Sequence, residues 1–70
     1  MEYVRVIFPE KRIVLIDGEE GGSTGRTLRV SEGTHTFKLD GLKNYKPNWR
    51  RPTVTGTNPN EPMEVVFEKL

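Results

Sequence analysis

His35, the only histidine, the carboxylates crowded into Asp17-Gly18-Glu19-Glu20, and the run Lys43-Asn44-Tyr45-Lys46-Pro47-Asn48-Trp49-Arg50-Arg51 are the reactive or sticky residues of this chain. A Ser-His-Asp or Cys-His centre would need His35 as its base, beside a carboxylate and an exposed nucleophile. His35 instead alternates with Phe37 and Leu39. That pattern predicts a partly buried imidazole, hydrogen-bonded to backbone beside the Gly33 turn. One histidine with no cysteine falls short of a zinc ligand set. Asp17, Glu19 and Glu20 supply only part of the roughly six to eight oxygens that calcium takes. The glycines between Gly18 and Arg26 could turn N–H groups toward a phosphate, but no helix or Gly-Lys-Ser/Thr follows, and the two glutamates would repel it. A paired-carboxylate hydrolase site would also need a cleft to hold its sugar. These residues predict no enzyme, no metal and no cofactor.

The basic-aromatic run is different. Tyr45 and Trp49 offer flat faces, Lys43, Lys46, Arg50 and Arg51 offer charge, and arginine can stack as well as pair. Such mixtures bind single-stranded nucleic acid by stacking and phosphate attraction, occur at protein interfaces, and offer platforms for sugars. From Gly41 to Asn60 the chain has four cations and no acid, while the other fifty residues hold seven cations and ten acids. The net charge of +1 therefore hides a basic segment on a mildly acidic body. The candidate binding residues are Lys43, Tyr45, Lys46, Trp49, Arg50 and Arg51, with one aromatic expected to close the core.

The elements that must position these residues read as strands. Seventy residues make one domain, 1–70, which buries only roughly 60–65% of its unfolded surface. With no cysteine it has no disulfide staple. The longest apolar run, Ile13-Val14-Leu15-Ile16, is far short of the ~20 residues that span a bilayer. Met1-Glu2-Tyr3-Val4-Arg5 does not begin a signal peptide. The chain as written thus points to the cytoplasm, or to the envelope if it is a fragment of a longer surface protein. Tyr3–Phe8 alternates and ends at Pro9, Arg12–Asp17 reads as a covered central strand, and Asp17-Gly18 is a turn. The glycine-rich stretch to Gly25 reads as a loop. Arg26–Val30, Thr34–Asp40 and a brief Pro52–Thr55 follow, and Met63 to Glu68 alternates most cleanly. Turns at this spacing predict an all-β, antiparallel sandwich of about six short strands. Its expected core is Val4, Val6, Phe8, Ile13, Leu15, Leu28, Val30, Phe37, Leu39, Val54, Val65 and Phe67.

The order of these signals resembles the PEGA domain family of small β modules in bacterial and archaeal surface and envelope proteins. The matching residues are Val6-Ile7-Phe8-Pro9, Ile13-Val14-Leu15-Ile16-Asp17-Gly18, a glycine-rich turn reaching Thr24, Leu28 to Val30, Glu32-Gly33-Thr34-His35, a strand through Leu39, Tyr45, and a closing strand ending at Leu70. Ser31-Glu32-Gly33-Thr34 stands where the family's Pro-Glu-Gly-Ala falls, and Gly25 stands where a proline is usual. The resemblance covers nearly the whole chain. It implies a β-sandwich, no catalytic residues, a structural or binding role, and Tyr45 as the structural aromatic. The expected partner is a protein or an envelope component. The alternatives are a nucleic-acid-binding module, weak, salt-sensitive and opposed by the acidic remainder, and then a carbohydrate-binding module with Trp49 as its platform. Edge strands leave the oligomeric state open.

Overall fold

The computed structural model describes all 70 residues, and every regular element in it is a strand. The ten are β1 (Glu2–Ile7), β2 (Ile13–Ile16), β3 (Glu19–Ser23), β4 (Thr27–Val30), β5 (Gly33–Thr34), β6 (Phe37–Leu39), β7 (Tyr45–Lys46), β8 (Thr53–Val54), β9 (Met63–Val66) and β10 (Glu68–Lys69). Two three-stranded sheets, ordered β4-β1-β9 and β3-β2-β6, carry most of the ladder, and the two-stranded pairs β5-β8 and β7-β10 complete it. No sheet closes on itself.

Several expectations need correction. The expected six strands become ten, because short pairings at the chain's bends add β3, β5, β7 and β10. The pairing is not all antiparallel: β9 runs parallel to β1, with Val6 opposite Val65. A parallel neighbour needs a crossover rather than a tight turn, and the chain reaches β9 only after passing through the second sheet. The stretch after Gly18 is not a loop but the edge strand β3, paired with β2. It stays in the ladder through a register shift beside Gly22, whose φ of +134° suits glycine alone. Asp17 (φ 53°) and Gly18 (φ 85°) both take positive φ, as the turn of this hairpin demands.

Core formation follows from pairing. On β1 the alternation sends Val4 and Val6 inward, next to Leu28 and Val65 on its two neighbours. In the other sheet Val14 lies opposite Leu39 and Ile16 opposite Phe37, so those four share one face. Both apolar faces feed one cluster, to which Tyr45, Val54 and Phe67 also belong. Ile13 was expected inside but is 38% exposed, and Leu15 is half-buried on the outer face. Four apolar residues in a row carry no phase, so the partner strand decides which pair turns inward. Phe8 packs against the rim of the cluster.

Two polar side chains fasten the connections. Buried Thr24 donates its hydroxyl to the Glu10 carbonyl (2.9 Å) and accepts the Arg12 N–H (3.0 Å), which ties the β3–β4 turn to the β1–β2 connection. Glu2 accepts both the N–H (2.8 Å) and the hydroxyl (2.6 Å) of Thr57. The hydroxyl bond to Thr57, then the N–H, holds the Glu2 carboxyl below its usual range.

Candidate functional site

Trp49 stands in the connection from β7 to β8 and is 50% exposed. Arg50, the next residue, is anchored by backbone: its N–H and carbonyl exchange hydrogen bonds with Phe37 at 3.0 and 2.7 Å. Its guanidinium Nε donates to the Val66 carbonyl (2.7 Å). Arg51 donates Nε to the Thr36 hydroxyl (3.0 Å), and its Cζ lies over the Trp49 ring, 5.4 Å from the centroid. Trp49 is therefore held in place by its neighbours while its ring remains accessible.

Two grooves share Trp49 as a wall. One is walled by Pro47, Arg50, Arg51 and Pro52. The other, about 410 Å³, runs along the outer face of the β3-β2-β6 sheet, where Leu15 and Lys38 stand opposite each other. Lys43, Asp40 and Asn48 complete its polar lining. No carboxylate lies within ion-pair distance of Lys38, Lys43, Arg50 or Arg51.

Tyr45 borders the second groove but is almost wholly buried. It is 4% exposed, donates its hydroxyl to the Leu39 carbonyl (2.8 Å), and meets Phe8 and Phe67 edge to face at 6.2 and 5.5 Å. Its ring fills the end of the core and presents no free face to a ligand. Lys46 points toward Glu68 (3.9 Å), away from the unpaired cations. The structure thus gathers Lys43, Trp49, Arg50 and Arg51 of the expected set and adds Lys38. No local pattern marks Lys38, because it reaches the groove through the β2–β6 register.

Arg12 is a second residue the sequence does not flag. Its guanidinium donates to the carbonyls of Asp40 and Leu42 and to Asn44 Oδ1 (2.7 Å), and lies over the rings of Phe8 (5.8 Å) and Tyr45 (5.9 Å). One side chain therefore shapes the β6–β7 connection that carries Lys43. Gly41, at φ +90°, lets that connection pass close to it, since a Cβ there would meet Arg12 Nη2 at 3.1 Å. Glu10 receives Lys69 (2.7 Å) and Asn44 (3.3 Å), and these two bonds, Lys69 first, lower its pKa.

The arrangement closest to a catalytic centre lies elsewhere. His35 Nδ1 donates to Asp17 Oδ2 (2.6 Å), and Ser31 Oγ lies 3.4 Å from Nε2. Nε2, however, donates to the Ser31 carbonyl at 2.7 Å. Both ring nitrogens face acceptors, which favours the protonated ring: the Asp17 carboxylate, then the Ser31 carbonyl, raise its pKa. The shorter contact of Nε2 is thus with the Ser31 carbonyl, not with the hydroxyl that a nucleophile would offer. Asp17 is also committed: the Thr36 N–H (2.9 Å) and then His35 lower its pKa. Glu19 and Glu20 lie in β3.

Comparison of the chain with protein-family models, with curated proteins and with solved structures finds no match.

Proposed function

We propose that this protein is a non-catalytic contact module, a small β-sandwich of the PEGA kind, whose binding surface is the Trp49 face. The observation that carries the reading is a half-exposed tryptophan, fixed by its neighbours, amid four cations with no carboxylate at ion-pair distance. Isolated exposed apolar residues are ordinary, but an anchored Trp with arginine beside it is the composition of interface hot spots. The expected partner is a protein or a component of a cell envelope. The two three-stranded sheets would form the layers of the sandwich, and the pairing of His35 Nε2 with the Ser31 carbonyl rather than its hydroxyl supports the non-catalytic part of the reading. An experimental structure with the two sheets stacked ~10 Å apart would support the sandwich.

Trp49 is the sole tryptophan, so its emission reports on this surface directly. The expected result is red-shifted emission in the free protein, quenched better by iodide than by caesium because of the surrounding cations. Blue-shifted emission, insensitive to both ions, would remove the surface and the proposal with it. Trp49→Ala is expected to leave the thermal midpoint nearly unchanged. A loss on the scale of a buried aromatic, ~3–5 kcal/mol, would instead place the ring in the core.

A further inference from the structure

The groove between Trp49 and the β6–β7 connection has a more specific chemistry than a generally basic face. Its volume of about 410 Å³ lies in the range of small-ligand sites, roughly 300–1,000 Å³. A standard protein interface would take ~800 Å² from each partner, a large share of a molecule with 4503 Å² of surface in all. The groove lining combines the exposed Trp49 ring, Leu15, the nearly buried Leu39 and Tyr45, two unpaired ammonium groups (Lys38 and Lys43), a carboxylate (Asp40) and an amide (Asn48). Asp40 spends Oδ1 on the Gly41 N–H (2.9 Å), and no partner is found for its other oxygen.

A nucleic acid strand suits this lining poorly. Bases bind on successive aromatic platforms, and of the two aromatic residues that line the groove Tyr45 is buried, which leaves Trp49. A carboxylate in the wall would also face a phosphate at every nucleotide. A sugar ring that carries one carboxylate fits better. Its C–H face matches a single indole, its charge matches the two lysines, and its hydroxyls both donate and accept, as Asp40 and Asn48 require. We propose that this groove takes one carboxylated sugar residue of an anionic polysaccharide, stacked on Trp49, with its carboxylate at Lys38 and Lys43. The assignment rests on the contact-surface reading and names the ligand for it.

The test is a titration of the 15N-labelled protein at low salt, following amide shifts and Trp49 emission. The probes are an oligogalacturonate, its methyl ester, an oligothymidylate and polyglutamate. The oligogalacturonate is expected to bind saturably, with shifts confined to residues 38–49 and Leu15, while the ester binds much more weakly. Lys38→Gln and Lys43→Gln are each expected to weaken binding roughly tenfold, the loss of one charge-assisted contact. Equal binding of the ester, or equal or tighter binding of the thymidylate or polyglutamate, overturns the carboxylated-sugar assignment. So does the absence of any shift with oligogalacturonate. In all these cases the contact surface itself stands or falls separately, on the iodide and caesium quenching of Trp49.

Discussion

At the scale of single residues, the geometry around His35 fixes a pH dependence. The folded protein binds the imidazolium better than the unfolded chain does, so its contribution is fully present below pH 6.5, the ordinary value. It is lost as pH rises through the higher folded value. Asp17 acts in the opposite direction: its contribution is present above 3.8 and lost as pH falls through its lower folded value. Glu2 and Glu10 act as Asp17 does, from 4.5, so thermal midpoints are expected to hold steady between 4.5 and 6.5 and to fall on the alkaline side of 6.5. In His35→Gln the alkaline decline should flatten, and a wild-type midpoint that is constant from about pH 6 to 9 would contradict the assignment. Thr24 gives a second residue-level expectation. Thr24→Val keeps the shape but strands the Arg12 N–H and the Glu10 carbonyl, a cost of about 1–3 kcal/mol. In a chain of this size that lowers the thermal midpoint by roughly 4–8 °C per kcal/mol, readable by circular dichroism.

At the scale of elements, what was legible in the sequence depended on whether the pattern carried phase. Met63 to Phe67 alternates, and Val65 and Phe67 are buried as that alternation requires. Ile13–Ile16 carries no phase, and its inward pair is set by Phe37 and Leu39 across the ladder. The same register that hides Val14 turns Leu15 and Lys38 outward into the groove, so half of the candidate site was unreadable before the pairing was known. Arg12 was illegible for another reason: its partners lie 28 to 32 residues away, and nothing local announces them. Strand β3 was missed because glycine-rich sequence argues for a loop. Its glycines are what let the irregular pairing form. Gly22→Ala is expected to cost about 1–3 kcal/mol through its positive φ. The added Cβ would also press on Leu28. Urea unfolding of the variant measures this directly, and an unchanged midpoint would mean that β3 does not hold the conformation described.

At the scale of the whole molecule, the folded surface of 4503 Å² matches the ~4,450 Å² expected of an 8.0 kDa folded monomer. The radius of gyration, 11.0 Å, likewise matches the ~11 Å expected for a compact chain of this length. So small a protein holds only roughly 3.5–10 kcal/mol of stability. Fully buried Phe37 is therefore a large fraction of it, since truncating such a ring costs about 3–5 kcal/mol. Phe37→Asp, which adds an unpaired buried charge, is expected to leave the chain unfolded at room temperature. A dispersed amide spectrum from that variant would refute the single-core description.

The pairing of β10 with β7 links the far end of the described chain to the groove. Glu68 and Lys69 form the only ladder along Lys46 and Tyr45, the Leu70 N–H is bonded to the Asn44 carbonyl (2.8 Å), and Lys69 shares Glu10 with Asn44. Tension on the last three residues would thus be borne by a two-residue zipper running beside the Lys43 connection. A tug there would peel that zipper before it disturbed β1, slackening the groove while the rest of the molecule stayed folded.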